Sequence, residues 1–216
     1  MQNTSIKRTV GRRPCSGKPK IDTRVDILSA ARRIFARKGM EGASVREVAA
    51  TAKVNTAMIY YHFKDKEGLY QAVLADSVSV LAGIWEDRVF KSNVPVKKKI
   101  QRYVELFIQY EQKNEDLRRI MAMEFAVSGR SAACICEQYF GDNYTRLIEI
   151  VKEGIKRGEM RKIDPSLAVS SLIGIIVHNF IMHPMAEKIS GKRVDLSPKK
   201  FGSFITDLFF TGLMRE

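Results

Sequence analysis

The chain has 216 residues, 45% of them apolar, and a formal charge of +13. That is long and oily enough for a real core, which excludes a disordered chain, and the basic excess makes an acidic partner the first expectation. Cys15, Cys134 and Cys136 are too few and too scattered for a disulfide framework, and the basic N-terminus has no apolar segment behind it, so a cytoplasmic protein is expected.

Residues 1–20 hold Lys7, Arg8, Arg12, Arg13, Lys18 and Lys20 and no acid, a net +6. Gly11, Pro14, Gly17 and Pro19 break up any apolar period, so residues 1–21 are expected to form a flexible basic arm. Residues 21–70 carry nine basic and six acidic side chains, a net +3, and the other 146 residues add only +4. The excess therefore lies in the N-terminal third.

From residue 22 onward nearly every segment has helical spacing and none shows strand-like alternation between turn signals, which predicts an all-α fold. Asp22 or Thr23 can cap a first helix burying Ile27, Leu28, Ala31, Ile34 and Phe35 and ending at Gly39. "SVRE" at 44–47 reads as a capping box, with Ser44 taking an early backbone N–H and Glu47 reaching back to the cap. The short second helix buries Val45, Val48 and Ala49 and stops near Ala52. Asn55 then caps a third helix running to about His62.

Two short helices across a tight turn, behind a longer packing helix, form a helix-turn-helix unit. Val54, Ile59 and Phe63 point inward by spacing, leaving Asn55, Thr56, Met58, Tyr60, Tyr61 and His62 exposed or partly so. A rod of that width fits the major groove, where Asn55 can pair with an adenine edge and Thr56 can meet a thymine methyl or a base acceptor. Tyr60 and His62 are placed to donate to phosphates, and Lys66 stands at the start of the next helix, where an anion is favoured.

Asp65 caps the fourth helix, through Leu69, Val73, Leu74, Val78 and Leu81. Further helices follow Pro95, Asn114 and Ser131, the last ending near Gly158. "DP" at 164–165 and "SP" at 197–198 mark two more, each with proline in its first turn. These two are apolar nearly all the way round, which calls for burial on two sides: one within the subunit and one in a dimer made through the last two helices. "LIGIIVHNFIM" at 172–182 is too short to cross a bilayer, so no membrane partner is expected.

"ILSAARRIFARKGMEGASVREVAATAKVNTAMIYYHFKDKEGL" resembles the DNA-binding domain of the TetR/AcrR family of transcriptional regulators. It shares the alanine-rich helix, Phe-x-x-x-Gly, the Ser-capped second helix and the Tyr-x-x-Phe-x-x-Lys-Glu ending. The resemblance implies an all-helical homodimer that binds double-stranded DNA, with residues 22–70 as the reading head and residues 71–216 as the effector-binding and dimerisation domain. Position by position, it implies that Ser44 and Arg46 contact phosphate or base. Asn55, Thr56, Ala57 and Met58 would face base edges, and Tyr60, His62 and Lys66 would hold the backbone. Two departures stand out: Lys53 occupies a turn position where the family usually has glycine, and Ala57 and Met58 replace its common Gly and Thr/Ser. The arm can place Arg12 or Arg13 in a narrow minor groove or act as a solvated tail.

In similar proteins the helices carrying Trp85, Phe107, Met121, Met123, Glu124, Phe125, Tyr144 and His178 line the effector cavity. These residues are the candidates for contacts to an apolar or aromatic small molecule. Glu124, in mid-helix, is expected to meet Arg118, Arg119 or a cationic ligand. Cys134 and Cys136 diverge on a helix, and Pro184 is expected to disturb the approach of His183 to Glu187, so no metal or cofactor is expected. No nucleophile–base pair, phosphate loop or carboxylate pair points to an enzyme. The expectation is a ligand-responsive repressor. A rival reading is a small-molecule-binding helical protein with a vestigial head, against which the intact Asn55, Tyr60, His62 and Lys66 set speaks.

Overall fold

The computed structural model describes residues 23–127 and 129–213, which fold into helices without a strand among them. Arg12, Arg13 and Cys15, and the side chains of Cys134 and Cys136, lie outside the described residues. In α1 (Thr23–Gly42) the face Ile27, Leu28, Ala30, Ala31, Ile34 and Phe35 is buried at the spacing that a helix requires. Its regular winding stops at Gly39, where φ is +68° and ψ 176°, a conformation that a side chain would strain. Then come α2 (Val45–Ala52), α3 (Thr56–Phe63) and α4 (Lys66–Trp85), which continues as a π-helical turn through Glu86–Phe90.

The rest of the chain consists of α5 (Val96–Lys113), α6 (Glu115–Val127), α7 (Gly129–Lys156), α8 (Pro165–Ser190) and α9 (Pro198–Leu213). Helix α1 packs against α2, α4 and α6, while α5 lies along α9 and α7 bridges α4 and α8. One apolar core therefore runs from Ile27 of the head to Phe210 of the body. The architecture is a three-helix helix-turn-helix domain joined to a larger helical domain.

Helix α8 departs from two expectations. Asp164 caps it, its Oδ1 accepting from the Leu167 N–H at 2.8 Å, but Pro184 neither ends the helix nor separates His183 from Glu187. His183 Nε2 lies 3.3 Å from Glu187 Oε1. The 26-residue helix also extends well beyond the quoted apolar run. By length and hydropathy, 1.6 over its best window, it could cross a membrane, yet only 28% of that window is buried. Leu167, Ile181, Met185 and Ile189 on α8 stand in water, as do Phe204 and Leu208 on α9.

Candidate functional site

Caps hold both ends of α2 and of α3 and the start of α4. Ser44 Oγ accepts from the Glu47 N–H at 3.2 Å. The Glu47 carboxylate does not close the expected box; it takes the Lys38 ammonium at 2.8 Å, a charged partner that outcompetes a backbone amide. At the other end of α2 the N–H of Val54 reaches the Ala49 carbonyl and that of Lys53 the Ala50 carbonyl, a Schellman closure. Lys53 pays for it with φ 56° and ψ 40°, the left-handed conformation that glycine would take freely.

Asn55 opens α3, its Oδ1 accepting from the Ala57 N–H at 2.9 Å. This narrows the expected adenine contact, because bidentate pairing uses the amide oxygen and nitrogen together and the oxygen is engaged in the cap. Nδ2 is what Asn55 offers. Thr56 and Met58 are half-buried and Ala57 is exposed, while Tyr60 and Tyr61 are 52% and 81% exposed. His62 stacks edgewise between Tyr61 and Phe63, with centroids at 5.1 and 5.9 Å, and its Nε2 is buried without a partner. The expected phosphate contact from His62 therefore cannot come through Nε2. Lys66 Nζ lies 3.5 Å from the Glu41 carbonyl, a long contact that leans it toward the end of α1 rather than leaving it wholly free for an anion. Arg46 projects from α2 and is exposed.

The exit from α3 is unusually tight. The Asp65 N–H donates to the Phe63 carbonyl at 2.8 Å across Lys64, whose φ 70° and ψ −54° make this a γ-turn of the rare, strained hand. Asp65 Oδ1 then accepts from the Gly68 N–H at 2.7 Å and starts α4. A Cβ at position 68 would lie 2.2 Å from the Phe63 oxygen, so glycine is what lets the end of α3 fold onto the start of α4.

The eight expected effector residues differ in their burial and partners. Trp85 and Phe107 meet, with ring centroids 5.6 Å apart, and Met121 packs half-buried on the core. Phe125 on α6 is 53% exposed and His178 on α8 is exposed, the latter on a helix too uniformly apolar for spacing to reveal its inward face. The Tyr144 hydroxyl donates to the Ser166 carbonyl at 3.0 Å.

Glu124 meets neither Arg118 nor Arg119; its Oε1 accepts from the Tyr70 hydroxyl at 2.6 Å, while the arginines face Glu111 and Glu115. That bond joins α6 to the first turns of α4. Burial and the Glu124 partner push the Tyr70 hydroxyl pKa up, keeping the donor protonated. Beside it, Met123 Sδ sits 3.8 Å from where a Gly39 Cβ would be, so α6 touches the head at two consecutive residues.

Sequence reasoning did not single out three groups that the structure makes conspicuous. Tyr70 edges Phe35 at 5.0 Å, Tyr103 stacks on Trp85 at 4.5 Å, and the Glu111 carboxyl is pushed up to about 7 by burial, only partly offset by Arg118. For Tyr103 and Glu111 the available signal was a hydroxyl and a carboxylate eight residues apart on an otherwise apolar face of α5.

A short outward-facing polar rod in a capped helix-turn-helix defines a DNA-binding transcriptional regulator. Residues 27–73 match the family described as bacterial regulatory proteins, tetR family. The chain is 26% identical over 169 residues to the transcriptional regulator RutR of Escherichia coli (strain K12), covering 76% of this chain and 77% of RutR. It is also 26% identical over 168 residues to the transcriptional repressor SCO4008 of Streptomyces coelicolor, covering 77% and 82% of the two chains. The crystal structure of FadR from Bacillus subtilis in complex with stearoyl-CoA shares the fold, with a TM-score of 0.74 at 21% identity over 87% of this chain and 98% of FadR. Residues 27–73 are thus similar to the DNA-binding domain of tetR-family regulators, and the rest of the chain shares the fold of such proteins.

Proposed function

We propose that this protein is a ligand-responsive repressor that binds a near-palindromic operator as a homodimer and releases it when a small molecule occupies the body. In this reading residues 22–70 are the reading head, residues 71–216 the effector and dimerisation domain, and residues 1–21 a basic arm that adds phosphate attraction in the bacterial cytoplasm. The carrying observation is the joining of the exposed α3 face to the body through the α1–α6 seam and the Tyr70–Glu124 bond. Asn55 Nδ2, Thr56, Tyr60, Tyr61 and Arg46 supply donors and flat surface to the grooves, and an effector that shifts α6 pulls on the first turns of α4.

The exposed apolar faces of α8 and α9 support the dimer. Each large side chain there gains roughly 1.5–3 kcal/mol when fully covered, and a two-fold axis lets the same patch cover itself. A second copy, rather than a membrane, fits these faces because α8 already packs on α7 and α9. Two recognition helices would then lie about 34 Å apart, one turn of DNA.

The test is the anisotropy of a labelled duplex from upstream of this protein's own coding sequence, against a scrambled duplex, at about 0.15 M salt. A preference of roughly 10³-fold or more is expected, lost when a small molecule from a broad apolar, aromatic and cationic panel binds. Equal, weak binding to both duplexes and to sequences selected from random pools would refute operator recognition. Sedimentation of the parent against Phe204→Asp, expected dimeric and monomeric respectively, tests the interface.

A further inference from the structure

Trp85, Tyr103 and Phe107 form one aromatic stack where α4 meets α5, with centroid separations of 4.5, 5.6 and 5.9 Å. Trp85 is 1% exposed, and its Nε1 is buried with no hydrogen-bond acceptor. An unpaired buried donor forfeits its hydration with nothing in return, and folded proteins hold few of them. Trp85 is also the last α-helical residue of α4. The next turn, Glu86–Phe90, is π-helical, a winding that recurs at functional sites.

The surroundings fix the sign of whatever would satisfy that N–H. Tyr103 is wholly buried, and burial raises its hydroxyl pKa so far that it stays protonated, a second donor on the same stack. Among the described carboxylates on the neighbouring segments, Glu86 is engaged by Arg146 and Lys91 and Glu124 by Tyr70. Glu111 lies 3.9 Å from Arg118 with its Oε2 lacking a hydrogen bond, and burial raises its pKa to about 7, toward the neutral form. Aromatic faces alone would also attract a cation, so a cationic effector is the serious competitor. The positive N–H edge, the protonated Tyr103 hydroxyl and the burial that favours neutral Glu111 disfavour it.

We infer that Trp85 Nε1 is a polar contact of the effector site, and that the effector is a largely apolar molecule presenting a hydrogen-bond acceptor, a carbonyl or carboxylate, rather than a cation. This rests on the ligand-responsive reading above and names the chemistry of its ligand.

Trp85 is the chain's single tryptophan, so the emission of the unlabelled full-length protein reports directly on this site. The probes share a ten-carbon body: 2-decanone, decanoate and decyltrimethylammonium, each below its micellar concentration. Emission is followed on the free protein and anisotropy on its operator complex. The ketone or the carboxylate is expected to shift the emission and to act at concentrations at least tenfold below the ammonium. In Trp85→Phe, with each variant referred to its own ligand-free operator affinity, release should need roughly 5- to 30-fold more of the same probe, the loss of one hydrogen bond. Circular dichroism checks that the variant is folded, and Tyr103→Phe gives an independent removal of the second donor.

Release of operator with unchanged emission would put the effector elsewhere while leaving the repressor reading intact. Tighter binding of the ammonium would overturn the ligand class. If no probe shifts the emission, the inference fails; the repressor reading falls only if the broad panel also leaves the operator bound.

Discussion

On α3, Tyr60 and Tyr61 stand half to four-fifths in water, whereas in and against the body Tyr70, Tyr103 and Tyr110 are all but sealed and their hydroxyl pKa values are driven upward by burial. The same side chain serves opposite ends. In the head, backbone polar groups are satisfied locally, by Ser44, Asn55, Asp65 and the Schellman turn, so outward side chains are left to meet a partner. In the body some polar groups are buried and paired across helices, Tyr70 with Glu124 and Tyr110 with the Ser77 carbonyl, while Trp85 Nε1 and Glu111 Oε2 stay buried without a hydrogen-bond partner. A head built this way recognises by adding contacts to a preformed surface. A body built this way responds when an internal pairing is exchanged for another.

The largest effect that would sharpen this contrast comes from Glu111. Its folded-state pKa of about 7 lies above the ordinary carboxylate value, so between about pH 4.5 and 7 the unfolded chain ionises first and stability falls as pH rises. Glu111→Gln should remove that fall, leaving the variant more stable than the parent above pH 7 by up to about 3 kcal/mol. Urea denaturation at pH 5 and pH 8 measures it, and an equal pH response in both proteins would break the distinction drawn for the body.

Next is the head's exit turn. Gly68→Ala forces a methyl against the Phe63 carbonyl and should cost roughly 1–3 kcal/mol, lowering operator affinity along with stability. An unchanged melting temperature would mean that the γ-turn opens freely. At the seam, Tyr70→Phe deletes the bond to Glu124 and strands a half-buried carboxylate, about 1–2 kcal/mol. Its diagnostic readout is a changed ratio of operator affinities with and without effector. Smallest is Lys53→Gly, which relieves the left-handed lysine and should raise stability by up to about 1 kcal/mol in thermal denaturation.

The head was legible because its signals are local. Ser44, Asn55, Asp65 and Gly39 mark helix ends within three or four residues of themselves, and a two-turn helix has only one way to bury Ile59 and Phe63. What sequence could not give was competition for those groups: Lys38 taking Glu47, the cap taking the Asn55 oxygen, and packing enclosing the His62 nitrogen. In the body, helix order and the starts at Pro165 and Pro198 were legible for the same local reason. The site was not. On α8, oily on every side, spacing does not say that His178 faces out, and on α6 it does not say that Phe125 stands in water or that Glu124 will find a tyrosine 54 residues away.

The turn at Lys64 sets how this molecule can move. With the carbonyl that ends α3 bonded to Asp65 and pressed against Gly68, the reading rod is welded to the first turn of α4 and has no joint of its own. Motion transmitted through α4 carries the whole head and leaves the rod's outer surface unaltered. Which bases are read and whether they are released then become independent degrees of freedom. The outward residues Thr56, Ala57, Tyr60 and Tyr61 can be exchanged to retarget the protein to another operator while its sensing is inherited unchanged.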